Sequence, residues 1–274
     1  MTATPIPRTV AMTVFGDLDV SVLRTKPAGR LPIVTRSGPE SRRQGVYDFI
    51  RKQLAQGRQA YFVSPLVEES EELELTGATE LHRMLCAEFP EFPVGLLHGR
   101  LKAEEKDVVM RRFKAGEFPL LACTVVIEVG IDVPNAAVMA VEHAERFGLA
   151  TLHQLRGRVG RGAEPSYCFL LSKAGTLESR ARMRVMVETE DGFKIAEEDL
   201  RLRGPGEIWG TRQHGLPALT IGDLLRDQEV LEKARQDAFE LVRADPTLEA
   251  DEFHRELDRR IRARGEAGHL RLVG

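Results

Sequence analysis

Between residues 31 and 172, short apolar runs alternate with longer stretches of helical character. The apolar runs are LPIVTR, QAYFVSP, VGLLHG, PLLACTVVI, AAVMAVEHA and SYCFLLS. Strands of this kind, separated by helices of about 10–15 residues, are typical of βαβ units in which a crossover helix joins two parallel strands. Because the runs are apolar throughout, helices should cover both faces of the sheet. The sequence therefore predicts an α/β fold around a mostly parallel sheet.

The pattern changes after Lys173. Leu177–Val187 and Phe193–Leu202 are predicted to form two short helices around the turn Glu190–Gly192, as in an αα-hairpin. The Gly- and Pro-rich segment Arg203–Gly215 is predicted to be a loop, and a charged helical tail follows it. The expected organisation is a linker at residues 1–30, the sheet domain at 31–172, a hairpin and loop at 173–224, and a C-terminal helical tail at 225–274.

Composition and charge exclude several classes of protein. A hydrophobic content of 42% argues against wholesale disorder, and a net charge of −3 argues against a domain that coats DNA, so any DNA contact should be local. The three cysteines show neither a disulfide framework nor the Cys/His spacing of a metal site. No apolar run approaches the roughly 18 residues that cross a bilayer. We expect a cytoplasmic protein without a resident metal or a membrane partner.

The segment QLRGRVGRG, Gln154–Gly162, carries the sharpest chemical signal. If it is helical, Gln154, Arg158 and Arg161 stand at positions i, i+4 and i+7 and share one stripe. Gly157 and Gly160 beside that stripe would let another surface approach closely. Two arginine forks and an amide on a bare face are suited to a phosphate group. The alternative interpretation is that these arginines form an ordinary solvent-exposed basic face of the helix.

A second, weaker signal is TVVIEVGIDVPNA, Thr124–Ala136. Here a strand runs into a loop that contains Gly130, Asp132 and Pro134. Loops at the carboxyl ends of parallel strands are where open α/β sheets bind ligands. We therefore expect this loop to lie near a ligand.

Together with TAT at Thr2–Thr4, these segments resemble motifs III, V and VI of superfamily 2 helicases, in the same order. MTATPIPRT, SPLVEESEELE, HAERFGLATLHQLRGRVGRG and DGFKIAEEDLRLRGPGEIWGTRQHG resemble the RecG family of bacterial branch-migrating DNA helicases. The transcription-repair coupling factor shares this motor, but its pattern is similar to RGAGE and GEEQSG where this chain has RGPGE and GTRQHG. The resemblance implies a second RecA-like helicase lobe, followed by a translocation hairpin, a loop and a tail.

The resemblance also implies roles for single residues at a nucleotide site between two lobes. Gln154, Arg158 and Arg161 match the motif that contacts the γ-phosphate, with the arginines as fingers. Gly130 and Asp132 match motif V positions near the nucleotide.

Other residues match positions that couple hydrolysis to movement on DNA. Thr2 and Thr4 match motif III, and Thr124 falls where motif V approaches the DNA backbone. The positions that match the translocation element are Arg182, Arg203 and Gln213. Two alternatives stay open: Thr2 and Thr4 could be ordinary turn residues, and Arg182, in the run RARMR, could belong to a solvated helix face.

The sequence lacks the loop that such motors use to hold phosphates. The pattern G-x-x-x-x-G-K-[ST] is absent, since no Gly-Lys pair occurs, and the acidic magnesium box expected upstream of motif III is absent as well. We therefore expect a fragment that is inactive alone. In the full-length enzyme, ATP and Mg²⁺ would be bound mainly by the first lobe, with neither bound tightly here.

The function that the resemblance implies is the C-terminal motor half of an ATP-dependent double-stranded DNA translocase that remodels branched DNA in recombination and repair. Its partners would be forks and four-way junctions, together with the first lobe and wedge domain of the same monomeric protein. Two alternatives are a translocase of the coupling-factor type and a non-catalytic DNA- or protein-binding module on a helicase-lobe scaffold.

Overall fold

A computed structural model describes residues 31–65, 71–124, 132–173, 175–203 and 227–265. The strands are β1 Ile33–Pro39, β2 Gln59–Val63, β3 Val94–Leu97, β4 Leu120–Cys123, β5 Ala136–Val141 and β6 Ser166–Ser172. The helices are α1 Arg43–Ala55, α2 Glu71–Glu88, α3 Ala103–Lys114, α4 Leu149–Arg156, α5 Leu177–Glu188, α6 Gly192–Arg203, α7 Gln228–Ala244 and α8 Glu252–Gly265. Short 3-10 turns cover Glu40–Arg42 and Ala144–Arg146.

The six strands form one parallel sheet in the order β1-β6-β5-β2-β4-β3. Every residue of β2, β4 and β5 is buried, which explains why these runs are apolar without alternation. Side chains of α1 and α2 pack on one face, and those of α3, α4 and α5 pack on the other. The predicted α/β fold with helices on both faces is confirmed.

The described residues up to Leu202 belong to one compact unit, and those from Arg203 onward belong to a second. The sheet and most of the α5–α6 hairpin therefore share a unit, because α5 packs against β1 and α4. Thr176 caps α5, since its hydroxyl oxygen accepts a hydrogen bond from the Ser179 backbone N–H at 3.2 Å. The functional divisions expected at residues 172 and 224 stay predictions.

In the second unit, a carboxylate organises the turn between α7 and α8. The Asp245 side chain accepts hydrogen bonds from the Ala250 backbone N–H at 2.8 Å and from the Thr247 hydroxyl at 3.2 Å. The His254 Nδ1 atom lies 2.7 Å from the same carboxylate. These contacts, with the Ala250 N–H first, lower the pKa of Asp245 to about 2.

Within the described residues, no helix combines the length and apolar character that a bilayer crossing requires. Cys123 and Cys168 are buried free thiols, and burial raises the pKa of Cys168 to about 12. A thiol of this kind behaves as a small apolar side chain.

Candidate nucleotide-facing site

The sequence pattern suggested that the arginine segment is helical throughout, but in the structure the helix ends before Arg158. Helix α4 ends at Arg156, with Gly157 at its C-cap, so that Gln154 lies in the last turn while Arg158 and Arg161 follow the helix. The expected stripe of three residues on one helix face is therefore wrong. The physical reason is the glycine pair: Gly157 weakens the helix end, and Gly160 adopts a left-handed φ of 74° that redirects the chain. We call residues 157–161 the finger turn.

Two glycines are required here because neighbouring groups lie too close for a side chain. A Cβ atom at Gly160 would lie 2.9 Å from the Cγ1 atom of Ile33. A Cβ atom at Gly162 would lie 2.5 Å from the backbone oxygen of Pro134. The close approach expected of Gly160 is thus real, but the approaching surface belongs to the same lobe.

The structure brings together two residues that the sequence separates by 29 positions. Arg161 Nη1 lies 3.4 Å from Asp132 Oδ1, and both side chains are partly exposed. Arg161 and Asp132 were assigned to the nucleotide from different motifs, so their meeting supports one shared site. An exposed pair at this distance adds little to stability and leaves both groups free to exchange partners.

Asp132 lies near the amino ends of the strands, whereas the sequence pattern predicted a position near their carboxyl ends. The sequence placed its loop at the carboxyl ends of the strands, which we call the carboxyl edge, but Asp132–Asn135 has already crossed to the amino edge. The Gln59 backbone N–H, at the start of β2, donates to Asn135 O at 3.0 Å. Thr124 remains at the carboxyl edge, directly after β4. The two ends of the segment Thr124–Asp132 therefore lie at different edges: Asp132 is beside the finger turn at the amino edge, and Thr124 is at the carboxyl edge.

Thr124 is buried, and its backbone N–H donates to Leu97 O at 3.2 Å. Its hydroxyl oxygen has no hydrogen-bond partner among the described residues. Gly130, Thr2, Thr4 and Gln213 lie outside the described residues, and Arg203 is described only as the last residue of α6. The nucleotide-binding role of Gly130 and the DNA-coupling roles of the other residues stay predictions.

Arg182 is held by backbone oxygens rather than by solvent. Its Nη2 donates to Glu145 O at 3.0 Å, and its Nη1 donates to Phe147 O at 3.2 Å. These oxygens belong to the segment that leads into α4, so Arg182 joins the hairpin helix α5 to the segment just before α4, the helix that precedes residues 157–161. The alternative of a solvated helix face is wrong for this side chain.

Tyr61 and Arg156 lie near the predicted site residues, although no sequence pattern pointed to either of them. Burial, reinforced by the Cys123 thiol, raises the pKa of Tyr61, while Arg158 and Arg161 lie close enough to act in the opposite direction. Tyr61 is 1% exposed and belongs to the hydrophobic core cluster on the same face of the sheet as α4. Arg156 is 2% exposed, and in the sequence it is one of three closely spaced arginines, so its burial could not be recognised there. Its position as the last residue before the first glycine was the only available signal.

The described residues contain no cluster of three or more His, Cys, Asp or Glu side chains that could hold a metal ion. The described side chains that are predicted to face a nucleotide are the amide of Gln154, the guanidinium groups of Arg158 and Arg161, and the carboxylate of Asp132. They can neutralise charge on a phosphate but supply no nucleophile.

Comparison with known proteins agrees with this geometry. The family "Helicase conserved C-terminal domain" matches residues 43–163, which include the four strands β2 to β5 and the finger turn. The family "ATP-dependent DNA helicase RecG, domain 3, C-terminal" matches residues 189–263. The fold and site define the second, RecA-like lobe of a superfamily 2 helicase.

Individual relatives show which family within this class the chain resembles. The chain is 52% identical over 251 residues to the ATP-dependent DNA helicase RecG of Synechocystis sp., which covers 91% of this chain and 30% of the relative. It is 48% identical over 254 residues to RecG of Bacillus subtilis, with 92% and 37% covered. A solved structure of RecG bound to a three-way DNA junction matches with a TM-score of 0.68 and 47% identity, over 85% of this chain and 30% of that one. The chain belongs to the RecG family and spans about a third of the length of these relatives.

Proposed function

We propose that this chain is the C-terminal motor part of an ATP-dependent helicase that translocates on double-stranded DNA and remodels branched DNA. The activities we assign to the whole protein are reversal of stalled forks and branch migration of Holliday junctions, in recombination and repair. The observation that supports this most directly is the meeting of Arg161 with Asp132 beside the finger turn. Cationic side chains on a partly exposed turn can reach the γ-phosphate of a nucleotide that another lobe holds.

The same geometry favours a division of the nucleotide site between two lobes. This chain supplies the wall formed by Gln154, Arg158, Arg161 and Asp132, with Gly130 as a further contact. A first RecA-like lobe of the same protein would supply the phosphate-binding loop and the Mg²⁺ ligands, because this sequence has neither pattern. ATP and Mg²⁺ would therefore bind tightly only to the complete site. We further propose a cytoplasmic monomer with a wedge domain that contacts the branch point.

For coupling to DNA, we propose that the carboxyl edge and the hairpin act together. Thr124, Thr2 and Thr4 would respond to the DNA backbone, and Arg182, Arg203 and Gln213 would transmit lobe closure to the duplex. The two hydrogen bonds of Arg182 to Glu145 O and Phe147 O support this, since they join the hairpin to the start of α4.

The test uses the whole protein that contains this chain. ATP hydrolysis is measured without DNA, with linear duplex and with a three-way junction, and unwinding of the junction is followed on the same samples. We expect hydrolysis to be stimulated by DNA and unwinding to prefer the branched substrate. Junction binding without stimulated hydrolysis would favour the non-catalytic binding module instead.

A further inference from the structure

Arg156 buries a permanent charge next to the finger turn. Its side chain is 2% exposed, and burial lowers its pKa, against the opposing influence of Cys168 and Glu190. Isolated buried charges are costly, so a buried arginine needs a set of acceptors that compensates for lost water. The hydrogen-bond acceptors of the Arg156 side chain show which elements it joins.

Two of these acceptors lie at the C-terminal end of α5, and a third, the Thr35 hydroxyl on β1, lies 3.5 Å from Arg156 Nη1. Arg156 Nη1 donates to Met186 O at 2.7 Å and to Thr189 O at 2.9 Å. The last carbonyls of a helix lack partners within the helix and carry partial negative charge, which suits a guanidinium group. Arg156 therefore joins the end of α4 to the end of α5, whereas Arg182 joins the middle of α5 to the segment before α4.

The backbone of the same residue supports the finger turn. The Val159 N–H donates to Arg156 O at 3.2 Å, and the Arg158 N–H donates to Leu155 O at 3.0 Å. Val159 is fully buried, and Gly160 lies against Ile33. The path of the turn therefore depends on where the last turn of α4 is held.

The arrangement is not what stability alone would favour. Arg156 Nη2 is buried without a hydrogen-bond partner among the described residues, and a well-packed apolar side chain would avoid that desolvation. A buried polar group of this kind can instead fix one geometry among several.

We propose that Arg156 is a positioning residue for ATP hydrolysis. It fixes the end of α4 on the C-terminal carbonyls of α5 and thereby presets the finger turn from which Arg158 and Arg161 extend. The inference rests on the proposed function of that turn, but its structural part can be tested separately.

The first experiment measures amide hydrogen exchange in this chain and in Arg156→Met. We expect the amides of Arg158 and Val159 to exchange about tenfold faster or more in the variant, as local opening becomes easier. The β5 amides that pair with β2 should keep their protection. Arg51→Met is the matched control, because Arg51 also holds a backbone oxygen, that of Glu88, but on the other face of the sheet. Unchanged exchange at 158 and 159, with β5 still protected, would overturn the positioning role.

The second experiment measures steady-state hydrolysis in the whole protein with saturating junction DNA. Misplacing a catalytic group by about 1 Å can cost about a hundredfold in rate, so Arg156→Met should lower kcat about tenfold to a hundredfold while KM for ATP stays within about twofold. Arg156→Lys, which keeps a cation, should recover part of kcat. Arg51→Met should keep the wild-type kcat.

The outcomes separate this inference from the proposed function. If the wild-type protein shows no DNA-stimulated hydrolysis, the proposed function fails, and hydrogen exchange still decides whether Arg156 positions the turn. If Arg156→Met keeps the wild-type kcat, the inference is wrong and the function stands. If Arg156→Met loses protection throughout β5, Arg156→Lys becomes the test: exchange and kcat both unchanged from wild type would overturn the inference.

Discussion

At residue 160, the absence of a side chain decides the path of the finger turn. Gly160→Ala would place a Cβ atom against Ile33 in a backbone conformation with a φ of 74°. A left-handed conformation costs a residue with a side chain about 1–2 kcal/mol, and the contact adds to this. We expect the free energy of unfolding to fall by about 1–3 kcal/mol, measured by urea denaturation.

Gly45→Ala is the control for that measurement. Gly45 lies in α1, where an added Cβ would meet no described atom within 4 Å. Alanine favours a helix over glycine by up to about 1 kcal/mol, so stability should be unchanged or slightly raised. Equal losses in the two variants would show that the fit at Gly160 is not responsible.

At the scale of single elements, the α7–α8 turn should respond to acid through Asp245. Because the folded pKa of about 2 lies below the ordinary value of 3.8, ionised Asp245 stabilises the turn above about pH 4. That contribution is lost as the pH falls from about 4 through about 2. Asp245→Asn should remove this pH dependence of the turn, as followed by the NMR signal of the Ala250 amide. Asp237→Asn, on an exposed face of α7, should retain it.

The predicted coupling loop gives a different kind of test. Arg203→Ala and Gln213→Ala, in the whole protein, should keep DNA binding and most ATP hydrolysis but lose most fork unwinding. Elements that transmit closure can fail without loss of the chemical step. The matched control is Arg259→Ala in α8, an exposed residue paired with Glu256. Unwinding at the wild-type rate in Gln213→Ala would contradict the assignment.

The elements that the sequence predicted well are those that burial dictates. Every strand of the sheet coincides with an apolar run, and α5 and α6 begin and end within about one residue of the predicted bounds, because the local pattern and the core agree. The end of α4 was missed because the arginine spacing fits a helix as well as it fits a turn. Gly157 and Gly160 end the helix, and Gly160 and the following Gly162 fit against Ile33 and Pro134 in contacts that only the fold creates.

Site residues were harder to place for the same reason. The sequence assigned Asp132 and Arg161 to one nucleotide, yet it could not show that Asp132 crosses to the amino edge. Arg156 has the same side-chain chemistry as Arg158 and Arg161, which are less buried, and only the packing of α5 over α4 makes its environment different. Long-range contacts of this kind have no local signature in one sequence.

At the scale of the whole molecule, a chain that supplies only one of the two lobes around the nucleotide should not hydrolyse ATP. This chain alone should release no phosphate from ATP above background, with or without forked DNA, because it contains no G-x-x-x-x-G-K-[ST] pattern. Its affinity for a non-hydrolysable analogue, measured by calorimetry, should be weaker than a Kd of about 1 μM, or about −8 kcal/mol. DNA-stimulated turnover by the purified chain would contradict the division of the site between lobes.

The central claim is that Arg161 acts as a finger on a nucleotide held by another lobe. The most direct measurement is DNA-stimulated ATP hydrolysis by the whole protein carrying Arg161→Ala, with Arg259→Ala as the control. Loss of a finger typically lowers kcat by about 10³-fold or more, because charge on the transferring phosphoryl group is no longer stabilised. We predict that loss for Arg161→Ala, with junction binding unchanged. A kcat within about threefold of the wild-type value would contradict the account, since a true finger supplies far more of the rate.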